Sequence, residues 1–238
     1  MVLVGRDRAR LDAAVGRIGE GGPEVLAASA DGRDEQALAR ILDPVGSVDH
    51  ALVTAGGLEG AGTIDKLTPE AVRSTLEARI WGALAAARVT APRLPAGGSI
   101  TLTSGVYSIR PVPGMTAPLA AIGAVEALTG ALAVEFAPRR IRVNTVRYGN
   151  VDTPLRRSAA GLSTDEAVAE AGAATLLGRF ATPAEAAAPA YSESNRAGSF
   201  CVFPTGKRVS PAFAHPHRGI GRQGRFKSAT FRAVRAVT

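Results

Sequence analysis

Residues 135–144 read Glu-Phe-Ala-Pro-Arg-Arg-Ile-Arg-Val-Asn, and residues 148–154 read Tyr-Gly-Asn-Val-Asp-Thr-Pro. Between these two stretches, the apolar run at 141–146 has the composition of a strand. The segment at 117–135 is almost entirely Ala, Leu, Val, Ile and Gly, which predicts a helix that is buried on most sides. The stretch therefore predicts a helix followed by a strand, the repeating unit of α/β proteins.

The same alternation extends toward both ends of the chain. Further strands are predicted at 2–4, 25–28, 50–54 and 99–103. Helix starts are marked by Asp34, by Thr68 with Pro69, and by capping boxes at 163–166 and 182–185. Strands that alternate with helices of these lengths predict a parallel sheet that is covered by helices on both faces.

The formal net charge of +7 is unevenly distributed along the 238 residues. Residues 189–238 contain nine of the 28 Lys and Arg residues and one of the 21 acidic residues, so residues 1–188 have a net charge of −1. The sequence at 207–238 is rich in Gly, Arg, Pro and Ser, which is typical of a disordered tail. A basic tail attracts phosphate backbones, but a solvated tail is the commoner case, and we expect no nucleic-acid function.

Composition excludes several classes of site and location. Cys201 is the only cysteine, so an internal disulfide and a multi-cysteine metal site are excluded, and no metal site is expected. No run of 18 uncharged apolar residues is present, so no membrane span is expected. The short apolar start at 1–4, followed at once by charged residues, does not have the form of a signal peptide. We therefore expect a cytoplasmic protein.

Four segments, in order, resemble the short-chain dehydrogenase/reductase family. They lie at 49–56, 99–105, 135–154 and 178–185. The resemblance covers about residues 1–206, with 207–238 left as a basic tail of little structure. It implies a Rossmann-like, doubly wound parallel sheet and an NADP(H)-linked oxidoreductase that transfers hydride to or from a carbonyl or alcohol substrate.

The resemblance also shows where the chain departs from the family at the catalytic positions. The family uses a tyrosine as proton donor, a lysine four residues later that lowers its pKa, and a serine that holds the substrate oxygen. In this sequence the tyrosine position falls on Pro118 and the lysine position on Ile122. The serine position falls on Gly105, and the family's helix asparagine falls on Arg79. The resemblance therefore implies a degenerate active site with impaired chemistry.

Two residues near the end of the fourth strand are candidate substitutes. Ser104 lies beside the serine position, and Tyr107 is the phenol nearest to it. A tyrosine with an ordinary pKa near 10 is a poor acid at neutral pH unless a cation lies beside it. Arg79 could supply that charge in a rewired site. The alternative is a Tyr107 on the surface or pocket rim and a structurally paired Arg79.

Several residues correspond to cofactor-binding positions of the family. Arg6, directly after the first strand, lies where an arginine meets a 2′-phosphate, which favours NADP(H) over NAD(H); a solvated Arg6 is the alternative. Asp31 resembles the residue that contacts adenine. The other implied residues are Ala55 and Gly56 after the third strand, and Gly149, Val151 and Thr153 after the fifth. Asp31 and Thr153 are equally plausible as turn or helix caps.

The family begins with a strand and a Gly-x-x-x-Gly-x-Gly turn that hold the cofactor's pyrophosphate, and neither precedes residue 49 here. In the strand order that the resemblance implies, that first strand is central. Binding of the cofactor to this chain is therefore doubtful. Three outcomes are open: the strand at 2–4 closes directly onto the strand at 50–54, a partner supplies the strand between them, or the isolated chain folds poorly.

Three functions follow as hypotheses. The first is the impaired oxidoreductase, acting on a small-molecule substrate. The second is a non-catalytic relative that binds nucleotide or pairs subunits, and a homo-oligomer is expected through the Ala-rich helices at 71–90 and 117–135. The third is a mis-started or damaged gene product.

Overall fold

The computed structural model describes residues 1–18, 24–57 and 60–194, with side chains described as far as residue 190. The predicted tail at 207–238 and the domain boundary at residue 206 lie outside these residues. The strands are Val2–Gly5 (β1), Leu26–Ser29 (β2), His50–Leu52 (β3), Ser99–Gly105 (β4) and Arg142–Tyr148 (β5). The helices are Arg8–Ile18 (α1), Glu35–Leu42 (α2), Pro69–Leu76 (α3), Gly82–Thr90 (α4), Thr116–Phe136 (α5), Pro154–Ala160 (α6), Asp165–Ala173 (α7) and Pro183–Ser194 (α8).

The predicted β–α alternation and parallel pairing are confirmed. β1 pairs with β2, and β3, β4 and β5 form a second ladder in that order, with every pair parallel. The side chains of α4 and α5 pack on one face of β4 and β5 through a cluster that includes Leu102, Val125 and Val143. Ala190 of α8 contacts Val146 on the opposite face. The fold is thus Rossmann-like, with helices on both faces of parallel strands.

The predicted helix starts at Asp34, Thr68 and Thr182 are confirmed, whereas the capping box predicted at 163–166 is displaced by one residue, because Thr164 and not Ser163 caps α7. The side chains of Asp34, Thr68 and Thr164 accept hydrogen bonds from the backbone N–H three residues later, at the starts of α2, α3 and α7. At the start of α8, Thr182 and Glu185 form a reciprocal capping box. These caps satisfy N–H groups that have no partner inside the helix, so the local sequence sets where each helix begins.

The strands do not form one continuous sheet. Among the described residues β1 pairs only with β2, and β3 pairs only with β4. Of the three outcomes that the sequence left open, direct closure of the strand at 2–4 onto the strand at 50–54 is not what the described residues show. The two ladders are instead joined by helices α2 and α4, whose residues Leu38 and Val89 belong to a cluster that Val2 and Val48 also contact.

Two helix predictions need correction. The long helix predicted after Thr68 is interrupted by a π-helical turn at Glu77–Trp81, between α3 and α4. Helix α5 is not buried on most sides: Val125 is 3% exposed, whereas Val134 on the opposite face is 76% exposed. By length and composition, the stretch Thr116–Arg139 would also suffice to cross a membrane. Here its inner face packs on β4 and β5, as in a core helix.

Candidate active site and cofactor edge

The carboxyl ends of the strands carry the predicted site residues. Because the strands within each ladder are parallel, the residues that follow them meet at one edge of that ladder. Arg6 follows β1 and Asp31 follows β2, at the edge of the first ladder. At the edge of the second ladder lie Ala55 and Gly56 after β3, Ser104 and Tyr107 at the end of β4, and Gly149, Val151 and Thr153 after β5.

A partly buried polar cluster lies at the end of β4. The Ser104 hydroxyl donates to Oε1 of Glu126 over 2.5 Å, and the Ser108 hydroxyl donates to the same oxygen over 2.8 Å. Arg147 of β5 donates from Nε to Oε1 over 2.7 Å and from Nη2 to Oε2 over 2.5 Å. Both charged side chains are less than one fifth exposed. The Ser104 proton is thus directed toward Glu126, an arrangement that orients the hydroxyl oxygen by means of a carboxylate.

The ionisation of Glu126 is set by two opposing effects. Burial acts to raise the pKa of the Glu126 carboxyl, but the hydrogen bonds from Arg147, Ser104 and Ser108 together lower this pKa below its ordinary value of 4.5. Glu126 therefore carries a negative charge at neutral pH, and Arg147 neutralises it in a bidentate pair.

Positions 118 and 122 lie in the first turns of α5 and face the interior. Pro118 is among the fully buried side chains, and Ile122 is 6% exposed. A Cβ atom built on Gly105 would lie 3.7 Å from Cδ1 of Ile122, so a side chain at 105 would point toward position 122. The three positions that the resemblance equates with the family's serine, tyrosine and lysine are thus occupied by Gly105, Pro118 and Ile122, none of which titrates.

Tyr107 belongs to a short 3-10 turn, Val106–Ser108, that follows β4. Its hydroxyl donates to Oδ1 of Asn150 over 3.0 Å. The backbone of Asn150 is in turn fixed, because its carbonyl accepts from the N–H of Ala181 over 2.9 Å. Tyr107 therefore lies at the rim of the site, held toward the turn that follows β5.

The turn after β3 depends on Gly56. Its φ of +134° is a backbone conformation that residues other than glycine rarely adopt. A Cβ atom there would also come within 3.0 Å of Cγ and Cζ of Arg79. Nη2 of Arg79 donates to the carbonyl of Gly57 over 2.9 Å. Arg79, which lies within the π-helical turn, thus stabilises the backbone beside Ala55 and Gly56. Within the described residues, no hydrogen bond joins Arg79 to Tyr107.

The turn after β5 is tied to the segment before α8. Val151 forms a bridge with Ala181, and the Asp152 N–H donates to the Ala181 carbonyl over 2.8 Å. The Thr153 hydroxyl accepts from the N–H of Arg156 over 3.2 Å and so caps α6. This is the cap that the sequence offered as one interpretation of Thr153. The backbone that carries Val151 is therefore rigidly placed.

The edge of the first ladder combines two cations with one carboxylate. Arg6 is exposed, and its carbonyl accepts from the Ser29 hydroxyl over 3.0 Å, which ties the turns after β1 and β2 together. Arg33 donates from Nε and Nη2 to both oxygens of Asp31. The side-chain hydrogen bond from Arg33 is the main cause that lowers the pKa of Asp31 to about 2. Arg33 therefore neutralises Asp31 locally, and Arg6 lies near enough to Asp31 to contribute to the lowering of its pKa.

Sequence reasoning missed Glu126, Arg147, Asn150 and Arg33. One signal was available: Glu126 is the single charged residue in the otherwise apolar stretch 117–134. An acid inside an apolar helix needs a buried partner, which points to a cation on the adjoining strand.

Across residues 1–18, 24–57 and 60–194, no group of three His, Cys, Asp or Glu side chains is placed to hold a metal ion.

The chain is similar to known proteins over most of its length. The profile of the family described as Enoyl-(Acyl carrier protein) reductase matches residues 2–192. L-fucose dehydrogenase of Oryctolagus cuniculus is 33% identical over 186 residues, which cover 73% of this chain and 64% of the relative, just under two thirds of its length. Inactive 2-(S)-hydroxypropyl-CoM dehydrogenase 2 of Xanthobacter autotrophicus is 31% identical over 226 residues, which cover 85% of this chain and 91% of the relative.

A solved structure agrees with the observed architecture. A short chain oxidoreductase of Pseudomonas aeruginosa PAO1 that contains an atypical catalytic center superimposes with a TM-score of 0.76 and 22% identity, covering 88% of both chains. At this identity the likeness concerns the fold alone. The profile match, which covers most of the chain, carries the assignment: the chain belongs to the short-chain dehydrogenase/reductase family.

Proposed function

We propose that this chain is an NADP(H)-linked oxidoreductase for a carbonyl or alcohol substrate whose proton-transfer step is impaired. The observation that carries the proposal is the pair Pro118 and Ile122, which are both buried and one helical turn apart on α5, with Ile122 beside Gly105 of β4, at the positions that correspond to the family's proton donor and its cation. Hydride transfer is supplied by the nicotinamide when it is bound, so an enzyme without the donor keeps the fold but loses general acid catalysis, worth about 10²–10⁴ in rate.

Cofactor binding in this proposal uses the two strand edges. Arg6 would meet the 2′-phosphate of the adenosine, and Asp31 would lie beside the adenine, while Ala55, Gly56, Gly149, Val151 and Thr153 would line the nicotinamide side. Two features support the fit: the positively charged Arg6 near Asp31, and the fixed turns at Gly56 and Val151. NAD(H) is the alternative if Arg6 is only solvated.

The cofactor preference gives the first prediction. Arg6→Ala should weaken binding of NADPH by about 10- to 100-fold, the loss expected for a charge-assisted contact to phosphate, and should leave NADH binding unchanged. Fluorescence titration with both dinucleotides measures this difference. Arg10→Ala is the matched control, because Arg10 lies on α1 and pairs with Asp7. Equal losses in the two variants, or no loss for Arg6→Ala, would contradict the assignment of Arg6.

The second prediction concerns any proton transfer that Tyr107 and Ser104 still provide. Tyr107 and Ser104 are the proposed substitutes for the family's catalytic residues. Within the described residues, Asn150 is the side chain that hydrogen-bonds the Tyr107 hydroxyl. Any turnover of a ketone with NADPH should therefore fall by at least about tenfold in Tyr107→Phe if the rewired site operates. Val112→Ala, in the loop that follows, serves as the control. An unchanged rate in Tyr107→Phe would remove Tyr107 from the chemistry and leave uncatalysed protonation by water.

Subunit pairing is the second candidate function, and the exposed face of α5 favours it. Val134 is 76% exposed, and Trp81 and Ile64 are 56% and 74% exposed. An open groove of about 830 Å³ lies between α3 and the start of α5, and its walls include Leu76, Ile80 and Ala117. Apolar faces of this kind are typical of homo-oligomer interfaces. We propose a homo-oligomer through the helices at 71–90 and 117–135, in a cytoplasmic protein.

The interface gives the third prediction. Val134→Lys should weaken self-association by at least about tenfold, because burial of an unpaired ammonium costs more than about 1.4 kcal/mol. Analytical ultracentrifugation across a concentration series measures this change. Leu176→Lys is the matched control, since Leu176 is 64% exposed but follows α7. A monomeric parent chain, or equal dissociation in both variants, would contradict an interface on α5.

A further inference from the structure

The side chain of Asn150 links the ends of β4 and β5 at the candidate site. Gly105 and Tyr148 are the last residues of these strands and are paired in register, and Tyr107 and Asn150 each follow two residues later. The Tyr107 hydroxyl donates to Oδ1 of Asn150 over 3.0 Å. The Asn150 amide is therefore held across the two strand ends that carry Gly105, the position of the family's serine.

The backbone of Asn150 is fixed by a separate set of contacts. Its carbonyl accepts from the Ala181 N–H over 2.9 Å, and the Asp152 N–H donates to the Ala181 carbonyl over 2.8 Å. Val151, between these two residues, is buried. Because the main chain and Oδ1 are both tied, the amide is oriented before any ligand arrives, which is the condition under which a hydrogen-bond donor is most effective.

The hydrogen bond from Tyr107 leaves the nitrogen of the same amide available. An asparagine amide has one acceptor oxygen and carries two N–H donors on its nitrogen. Tyr107 engages Oδ1, whereas none of the described residues accepts a hydrogen bond from Nδ2. The side chain is only partly buried, so a small molecule at the strand edge can reach these two donors.

Tyr107 is less suited than Asn150 to bind a substrate oxygen. A phenol has one proton, and the Tyr107 hydroxyl directs that proton to Asn150. An amide N–H does not ionise near neutral pH, so it remains a donor without help from a neighbouring cation. Tyr107 is thus the positioning residue of the pair, and Asn150 presents the donor.

We propose that Nδ2 of Asn150 binds the carbonyl oxygen of the substrate in place of the serine that Gly105 replaces. The inference rests on the proposed function, which puts Gly149 and Val151, the two neighbours of Asn150, beside the nicotinamide. When the carbonyl carbon accepts a hydride from the dihydronicotinamide, the π electron pair of the C=O bond moves to oxygen, and the alkoxide takes a proton from water. Asn150 keeps its own protons and stabilises the charge that develops on the oxygen.

The experiment uses the full chain with cyclohexanone as the probe, added with and without NADP⁺, so that no hydride is available. In proton–nitrogen NMR spectra, the side-chain amide protons of Asn150 should shift downfield in a saturable way as the ketone binds. The side-chain amide protons of Asn144, which is fully buried on β5, should not move and serve as the control.

Asn150→Leu keeps the size of the side chain but removes both N–H groups. It should raise the Kd of cyclohexanone by about tenfold, and any NADPH-dependent turnover should fall by about 10²–10³. In infrared difference spectra, the C=O stretch of the bound ketone should lie at lower frequency in the parent chain than in Asn150→Leu, because a donated hydrogen bond weakens the carbonyl bond. Val112→Ala should behave as the parent chain in all three measurements.

Two results would overturn the assignment of Asn150: amide protons that the ketone does not shift, or a bound-ketone stretch that is the same in the parent and in Asn150→Leu. A chain that fails to bind NADPH in a fluorescence titration, while cyclohexanone still shifts the Asn150 amide, would contradict the proposed function and leave Asn150 as the carbonyl-binding residue.

Discussion

Replacing Glu126 with alanine is expected to lower the free energy of unfolding by about 2–4 kcal/mol. The loss of stability is expected because Arg147, the charged partner of Glu126, remains in the variant. Arg147 is 18% exposed, and without Glu126 its guanidinium stays in the same setting without the carboxylate that neutralises it. The buried hydroxyl of Ser104 loses its acceptor as well, which adds to the cost, and the partly buried hydroxyl of Ser108 loses the same acceptor.

Urea denaturation followed by circular dichroism measures the effect. Glu135→Ala is the matched control, because Glu135 lies on the exposed face of the same helix, and it should change stability by less than about 0.5 kcal/mol. The double variant Glu126→Leu with Arg147→Met should be less destabilised than Glu126→Ala, since no charge remains buried. If Glu126→Ala and Glu135→Ala are equally stable, the cluster does not contribute to folding.

The pH dependence provides an independent check of the same pair. The folded pKa of Glu126 lies below its ordinary value of 4.5, so the unfolded chain binds the proton more readily. The contribution of Glu126 is therefore present in full above about pH 4.5 and is lost as the pH falls through the folded pKa. Glu126→Gln should show a flatter loss of stability in this range than the parent chain. Parallel curves would mean that the pKa of Glu126 is not lowered by folding.

The fold was largely predictable because local signals agreed with one another. The cap at Asp34, the Thr68-Pro69 start and the Thr182–Glu185 box act within one turn, so each could be read without knowledge of the tertiary structure. The strand at 141–146 was predicted within two residues of the observed β5. What the sequence could not show was the separation of the two ladders, because pairing depends on which strands lie side by side.

The candidate site was predictable in position but not in its contacts. Alignment to the family located Ser104, Gly105, Pro118 and Ile122, and the structure brings Gly105 next to Ile122. The acceptor of Ser104 was not anticipated, since Glu126 lies 22 residues away along the chain and only the packing of α5 on β5 joins them. The π-helical turn that directs Arg79 to Gly57 lies at the junction of α3 and α4 and likewise has no local sequence signal.

Installing the family's pair as Pro118→Tyr with Ile122→Lys is expected to raise the rate of NADPH-dependent ketone reduction by about 10²–10⁴. The two positions are four residues apart on α5, so their side chains are neighbours on one face of the helix, and that face points to the end of β4. A lysine there would lower the pKa of the new phenol from about 10 toward neutrality by its charge. Proline at 118 lies in the first turn, where its replacement disrupts no helix hydrogen bond.

Initial rates at fixed NADPH with a panel of small aldehydes and ketones measure the gain. Pro118→Phe with Ile122→Lys is the control, because it carries the same bulk and the same buried cation but no proton to donate. Each single variant should stay at the parent rate, since the phenol alone keeps an ordinary pKa and the lysine alone has nothing to activate. Equal rates for the Tyr/Lys and Phe/Lys chains would show that the missing proton donor is not what limits this protein, and that the impairment lies in holding the dinucleotide.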